Sequence, residues 1–385
     1  MKIVIAPQEF KGSLSASEAA VAMAEGASSA LPEAEQEPIP MADGGPGTVE
    51  AVVAAAQGRV VTDTVQDPLG RPVAAQWGIV GGGKTAVIEM AAAAGLWRLT
   101  ADERDPRIAS TYGVGELVLA ALEAGCERLI IGQGGSATND GGTGMARAQG
   151  VRFLDAEGGE LPPGGAALAR LERIDTSGLD KRLSRCEVTA ATDVTNPLCG
   201  PEGASLVYGP QKGADAEAAR ELDAALRCYA EVVERDVAVS VIDVPGAGAA
   251  GGLGAGLIAF LGARIEPGLE VVAGVVRLRE RLRGADLVLT GEGCLDGQTG
   301  YGKVVAGVAR LAAAEGVSVI AVAGSLGRGW ERILAMGVEG VEAIVPRLAT
   351  QEEAMERPAE LLAEATARAV NGWLRMRSIG GKRDG

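Results

Sequence analysis

The 385-residue sequence contains no histidine. This excludes an imidazole base, a Ser-His-Asp triad and histidine-ligated metal, and leaves acid–base and metal chemistry to carboxylates, Lys, Tyr and Cys. Aromatic residues are only 3% of the chain. The five cysteines, Cys126, Cys186, Cys199, Cys228 and Cys294, are odd in number and widely spaced, with no C-x-x-C. That argues against a disulfide framework or a zinc site and for reduced thiols in a cytoplasmic protein. Lysine is also scarce: seven of the 36 basic residues are Lys, at 2, 11, 84, 181, 212, 303 and 382. Where Arg serves equally well the chain uses Arg. A Lys beside a glycine-rich turn is therefore informative, because its compact charge suits phosphate. Met1–Ala6 carries no leader pattern and reads as a first strand. Pro245–Ala263 has no charge, yet it is mostly Gly and Ala, so it reads as a buried glycine-rich segment rather than a membrane span.

What the chain does have is glycine, 57 residues, and a hydrophobic fraction of 47%. A Gly- and Ala-rich, aromatic-poor chain of this length suits two domains of tight α/β layers. The net charge of -15 repels nucleic acid and anionic membranes, so neither is expected as a partner. An anionic substrate would need locally clustered cations.

The apolar run Lys2–Pro7 suits a buried parallel strand. Ser15 with Glu18 three residues on forms a capping box for a helix reaching about Leu31. Arg59–Val65, Val73–Val80 and Thr85–Met90 alternate like hairpin strands. A βα rhythm returns at Ala285–Thr290 (strand), Lys303–Ala314 (helix), Val317–Ala323 (strand), Val341–Val345 (strand) and Glu352–Arg377 (long helix). Alternation of this kind implies parallel strands with crossover helices. The expected architecture is a discontinuous Rossmann- or flavodoxin-like domain, residues 1–58 and 283–378. A second α/β domain, residues 59–282, is inserted, with the active-site cleft between the two.

Gly78–Thr85 satisfies the phosphate-loop pattern G-x-x-x-x-G-K-[ST], but Thr85–Glu89 is β-prone and no helix follows, so the pattern reads as a hairpin turn. Gly132–Gly144 is more telling. It follows a buried strand and combines free backbone N–H groups with hydroxyls, amides and a carboxylate, a mixture suited to an anion or polar ligand. Its candidate ligand contacts are Gly134, Gly135, Ser136, Thr138, Asn139 and Asp140. Asp193 stands just past the strand Glu187–Ala191, where α/β ligand sites lie. Lys212 sits among turn residues, and Lys11 and Asp43 would share one sheet edge. Gly291, Glu292 and Asp296 end another strand ahead of Lys303. Carboxylates there can hold Mg²⁺, and Lys can neutralise a phosphoryl oxygen. The glycines of 245–254 fit either phosphate approach or close packing.

Taken together these motifs resemble the type I glycerate kinase family. The resemblance rests on Phe10–Ser15, Ala42–Gly45 with Gly47-Thr48, Gly134–Gly144, Thr192–Gly200, Gly209–Gly213, Pro245–Ala263 and Thr290–Lys303, which occur in order across nearly the whole chain. It implies ATP and Mg²⁺, D-glycerate as acceptor and 2-phosphoglycerate as product. The implied catalytic set is Asp193, Lys11, Lys212 and Asp43, with Gly291 and Lys303 on phosphates and Glu292 and Asp296 on the metal. The family often has Asp after the first-strand Pro, where this chain has Gln8. Two other readings stay open: a kinase of another small hydroxy acid or polyol, and a non-catalytic binding protein on the same fold. A homo-oligomer is compatible with the sequence.

Overall fold

The computed structural model describes residues 1–297, 299 and 304–380. In chain order its strands are β1 (Lys2–Pro7), β2 (Glu35–Pro38), β3 (Arg59–Gln66), β4 (Pro72–Val80), β5 (Thr85–Glu89), β6 (Arg128–Gly132) and β7 (Arg152–Leu154). They continue with β8 (Arg173–Asp175), β9 (Glu187–Ala191), β10 (Arg264–Glu266), β11 (Leu287–Leu295), β12 (Ser318–Leu326) and β13 (Gly340–Ala343). The chain packs as two compact units: residues 1–43, 50–57 and 269–385, and residues 44–49 with 58–268. The segment 269–282, placed with the inserted domain from sequence, packs with the first unit, where Leu269 lies against Gly307.

The first unit holds one sheet in the order β13-β12-β11-β1-β2, every pairing parallel. Counted within the unit this is the flavodoxin-like order 2-1-3-4-5, whose switch point lies between β1 and β11. β1 is central, and its Ile3, Val4, Ile5 and Ala6 are fully buried. One face of the sheet (Ile3, Ile5, Leu287, Leu289, Val322) packs against Met23 and Trp373 from the helices Ala16–Ala30 and Pro358–Gly380. Each large aliphatic side chain buried this way contributes about 1.5–3 kcal/mol. The first helix starts at the expected capping box, Ser15 with Glu18. A Cβ on Gly26 would lie 2.1 Å from the Ala363 carbonyl oxygen, so glycine is what lets the two helices touch.

The second unit holds a six-stranded sheet, β10-β9-β6-β5-β4-β3. Pairings from β10 to β5 are parallel; β5–β4 and β4–β3 are antiparallel. Trp77, Phe153 and Tyr229 are its large buried side chains, with Phe153 edge-on to Phe260 at 5.6 Å between centroids. The hairpin expected at Gly78–Thr85 is present. Val80 faces Thr85 across the turn, all three of Gly81, Gly82 and Gly83 have positive φ, and exposed Lys84 pairs with Glu127.

Two expectations need correction. Strand β11 does not stop at Thr290 but runs to Leu295, because β12 also extends and stays in register to Leu326. The long C-terminal helix is two helices, Gln351–Glu356 and Pro358–Gly380. Pro358 disfavours a helical conformation at Arg357, which leaves the α region at φ -130° and ψ 51°. The uncharged segment Pro245–Ala263 forms the buried helix Ala249–Leu261, and no helix among the described residues is long and apolar enough to cross a membrane.

Candidate active site

In the first unit the residues beyond β1 and β11 meet at the switch point. Gln8 N donates to the Gly291 carbonyl at 2.9 Å, which extends the β1–β11 pairing past Pro7. Phe10 is buried against Gly291, and Ser13 Oγ donates to the Phe10 carbonyl, so the turn that follows leaves Lys11 exposed. A Cβ on Gly293 would lie 3.1 Å from Lys11 N, which shows how closely the two strand ends approach. Asp43 reaches the same edge because the chain after β2 keeps running along β1, with Met41 N donating to the Pro7 carbonyl. Gln8 Nε2 donates to Asp43 Oδ2 at 2.9 Å. The amide thus complements a carboxylate where a second acid would repel it. Gln8 Oε1 is buried and has no hydrogen-bond partner among the described residues.

Glu292, in the extended part of β11, is buried and accepts from Thr299 Oγ1 at 2.5 Å. The same hydroxyl accepts from Asp296 N at 3.0 Å, so one threonine ties the two acidic positions together. Gly291 is a packing position, since a Cβ there would meet the Val322 carbonyl at 2.0 Å. Lys303 lies outside the described residues.

Glu9 was not singled out from sequence. Half-burial raises its carboxyl above the usual 4.5; Lys11 pulls it back and Asp43 pushes it further up. The signal that could have found it is its place just past a buried strand, the reasoning applied to Asp193.

In the second unit the parallel strands end in one row: Glu89, Gly132, Ala191 and Glu266 are successive register partners. Asp193 follows this row, is exposed, and its Oδ1 accepts from Gly268 N at 2.8 Å, in the first turn of the helix Gly268–Val275. Glu89, also missed from sequence, accepts from Val49 N at 2.7 Å in the first turn of the helix Thr48–Ala55.

The Gln133–Gly144 loop is largely turned inward. A Cβ on Gly134 would sit 2.6 Å from Gly45 Cα, and one on Gly135 would sit 3.2 Å from Pro46, so these glycines admit the 44–46 turn. Ser136 is buried, its backbone bridging Gly95. Thr138, Asn139 and Asp140 are fully buried. Asn139 Nδ2 donates to Ser205 Oγ. Asp140 Oδ2 accepts from Thr111 N, Thr111 Oγ1 and Gly144 N, and Oδ1 accepts from Gly142 N. Burial raises the Asp140 carboxyl, and these four hydrogen bonds oppose the rise.

Lys212 is 1% exposed, with Nζ donating to the Thr138 carbonyl at 2.7 Å. Burial lowers its ammonium to about 7, with Asp140 opposing. The glycine segment is a packing device here: Cβ atoms on Gly251 and Gly256 would strike the carbonyls of Thr138 and Gly141 at 2.0 and 2.6 Å.

The structure therefore brings Lys11, Asp43 and the Glu292–Asp296 segment to one sheet edge. It sets Asp193 at the strand ends of the other sheet, and buries Asn139, Asp140 and Lys212 beneath a loop.

Comparison with known proteins bears on the same segments. The description "Glycerate kinase family" matches residues 3–374. The glycerate 2-kinase of Escherichia coli K12 is 50% identical over 92% of this chain and 93% of its own. The glycerate kinase of Halalkalibacterium halodurans is 48% identical over 96% and 98%. Among solved structures, a Salmonella typhimurium LT2 protein provisionally named glycerate kinase 2 superposes with a TM-score of 0.89 at 47% identity, covering 98% of this chain and 99% of that one. With nearly its whole length matched in sequence and in fold, the chain belongs to the glycerate kinase family and is a kinase.

Proposed function

We propose that this enzyme transfers the γ-phosphate of ATP to a hydroxyl of D-glycerate, with 2-phosphoglycerate as product. The observation that carries the reading is the 50% identity to a glycerate 2-kinase across 92% of the chain.

Phosphoryl transfer passes through a loose transition state, so positioning and charge neutralisation dominate and a strong base is not needed. That suits a chain without histidine. Among the described residues no three His, Cys, Asp or Glu side chains converge on one point. Mg²⁺ suits such a site, since it takes one or two protein carboxylates and fills its shell with water and substrate phosphates. Glu292, held by the Thr299 hydroxyl, and Asp296 would be those carboxylates. Bound there, the ion would neutralise charge on the phosphoryl oxygens. Lys11, exposed beside them, would hold the anionic end of a substrate. Asp193 would orient the acceptor hydroxyl and take its proton. Asn139, Asp140 and Lys212 would act from beneath, fixing the loop that carries Gly134, Gly135 and Ser136. A soluble, cytoplasmic enzyme is the matching cellular setting.

ADP release with ATP, Mg²⁺ and D-glycerate, followed by phosphorus NMR of the product, tests this. Turnover with a 2-phosphoglycerate signal is the expected result. Turnover only with another hydroxy acid or a polyol would replace the acceptor, and ATP binding without turnover on any of them would remove the catalytic reading.

A further inference from the structure

Within the second unit, beyond the β3–β4 turn at the same end of the sheet as the row of strand ends, lies a cavity of about 580 Å³. This is within the range of small-molecule sites. Its wall combines the β3–β4 turn, the segment around Ser110 and Tyr112, and Arg147 and Arg152. Leu69 and Ile108 supply apolar surface, Ile108 being 53% exposed at the rim.

The charges facing the cavity are unequal. Arg152 is paired with Glu160 at 2.7 Å. Arg147 has no carboxylate ion pair among the described residues; it lies over the Phe153 ring at 5.7 Å and donates to the Pro162 carbonyl at 3.3 Å. A guanidinium carries five donors in a planar fork that fits oxyanions. Glu160 and Asp140 act on the Arg147 charge from a distance, yet with Arg147 and Arg152 against Glu160 in its lining the hollow is locally cationic on a chain of net charge -15.

The wall is also tied to the buried loop. Thr111, between the lining residues Ser110 and Tyr112, gives both its N–H and its hydroxyl to Asp140. The same carboxylate holds Gly142 N and Gly144 N at the start of the helix Thr143–Ala148, which carries Arg147. Met145 N in turn donates to Thr111 Oγ1. A ligand bridging Arg147 and the Ser110–Tyr112 segment would therefore load both sides of the Asp140 hub.

We propose that this cavity is an effector site for a small oxyanion on an apolar body, a carboxylate or a phosphate monoester, and that occupancy is transmitted through Thr111 and Asp140 to the Gln133–Gly144 loop.

Calorimetry on the full chain with phenyl phosphate and with benzoate tests the site and separates the two sources of oxyanion. At least one binds saturably in the presence of saturating ATP and D-glycerate, and more tightly than inorganic phosphate, which lacks the apolar body. Arg147→Gln, which removes the guanidinium charge, and Ile108→Glu, which adds a negative charge at an exposed rim position, each weaken binding by about tenfold, the scale of losing one charge-assisted contact. The bound probe shifts the wild-type KM for glycerate, and the shift is absent in both variants. Binding that ATP or glycerate displaces, or that Ile108→Glu leaves unchanged, overturns the site. Binding that moves no kinetic constant overturns the transmission through Asp140.

Discussion

As sequence, the strand-end edge of the first unit and the Gln133–Gly144 loop of the second unit are alike: glycines mixed with acids, amides and hydroxyls. In the structure they differ in where their polar groups are satisfied. The loop turns its charges inward: Asp140 accepts four hydrogen bonds, and Lys212 is buried on the Thr138 carbonyl, while the Gln133 amide and Asn139 Oδ1 are buried without a hydrogen-bond partner among the described residues. The edge leaves charged groups less enclosed: Lys11 is exposed, and Glu9 is half-buried with a raised carboxyl. Glycine-rich polar motifs thus divide into those that hold a protein together and those that present chemistry, and burial separates them where composition does not.

The sharpest test exchanges an acid for its amide in each region. Glu292→Gln should lower kcat about 10²–10³-fold, the size of losing a fixed electrostatic contact to the transition state. Its melting temperature should hardly change, since the amide oxygen still accepts from Thr299. Asp140→Asn should do the reverse, costing about 1–3 kcal/mol of stability because an NH₂ group then faces backbone donors. Steady-state kinetics and denaturant titration read the two quantities, and an interchange of the two outcomes would erase the distinction.

Asp193 sits between the two kinds of position, exposed yet bonded to Gly268 N. Asn keeps that bond, so Asp193→Asn should leave stability unchanged. As a proton acceptor it should lower kcat about 10²-fold, and a fall below about threefold would leave it only the structural role.

A test by pH concerns Lys212. Its amine titrates near 7 when folded against an ordinary 10.5. Between those values the unfolded chain binds the extra proton, so stability should rise with pH across that window and level off above it. Lys212→Met should remove that rise, and melting curves of both proteins from pH 7 to pH 10.5 would show it. Parallel curves would mean that the buried amine keeps its proton throughout.

Much of this was legible beforehand because it rests on local rules. β1 reads directly from Ile3-Val4-Ile5, the first helix from Ser15 and Glu18, and the false phosphate loop from β-prone Thr85–Glu89. The length of β11 was not legible, because its last residues are strand only through pairing with β12. The same holds for Gly134 and Gly251, where backbone arriving from distant segments leaves no room for a Cβ. Glu89 escaped because its partner, Val49 N, comes from a distant segment that no spacing rule specifies.

The pairing of β1 with β11 also sets a schedule for biosynthesis. Thr290 Oγ1 donates to the Ala6 carbonyl across 284 residues of chain. At translation rates of roughly 5–20 residues per second, the central strand leaves the ribosome tens of seconds before its principal neighbour exists. Through that interval Ile3-Val4-Ile5-Ala6 has only β2 as a possible sheet partner. The nascent chain therefore carries an apolar, half-paired strand while the whole second unit is made, which marks its first forty residues as the place where a chaperone would act.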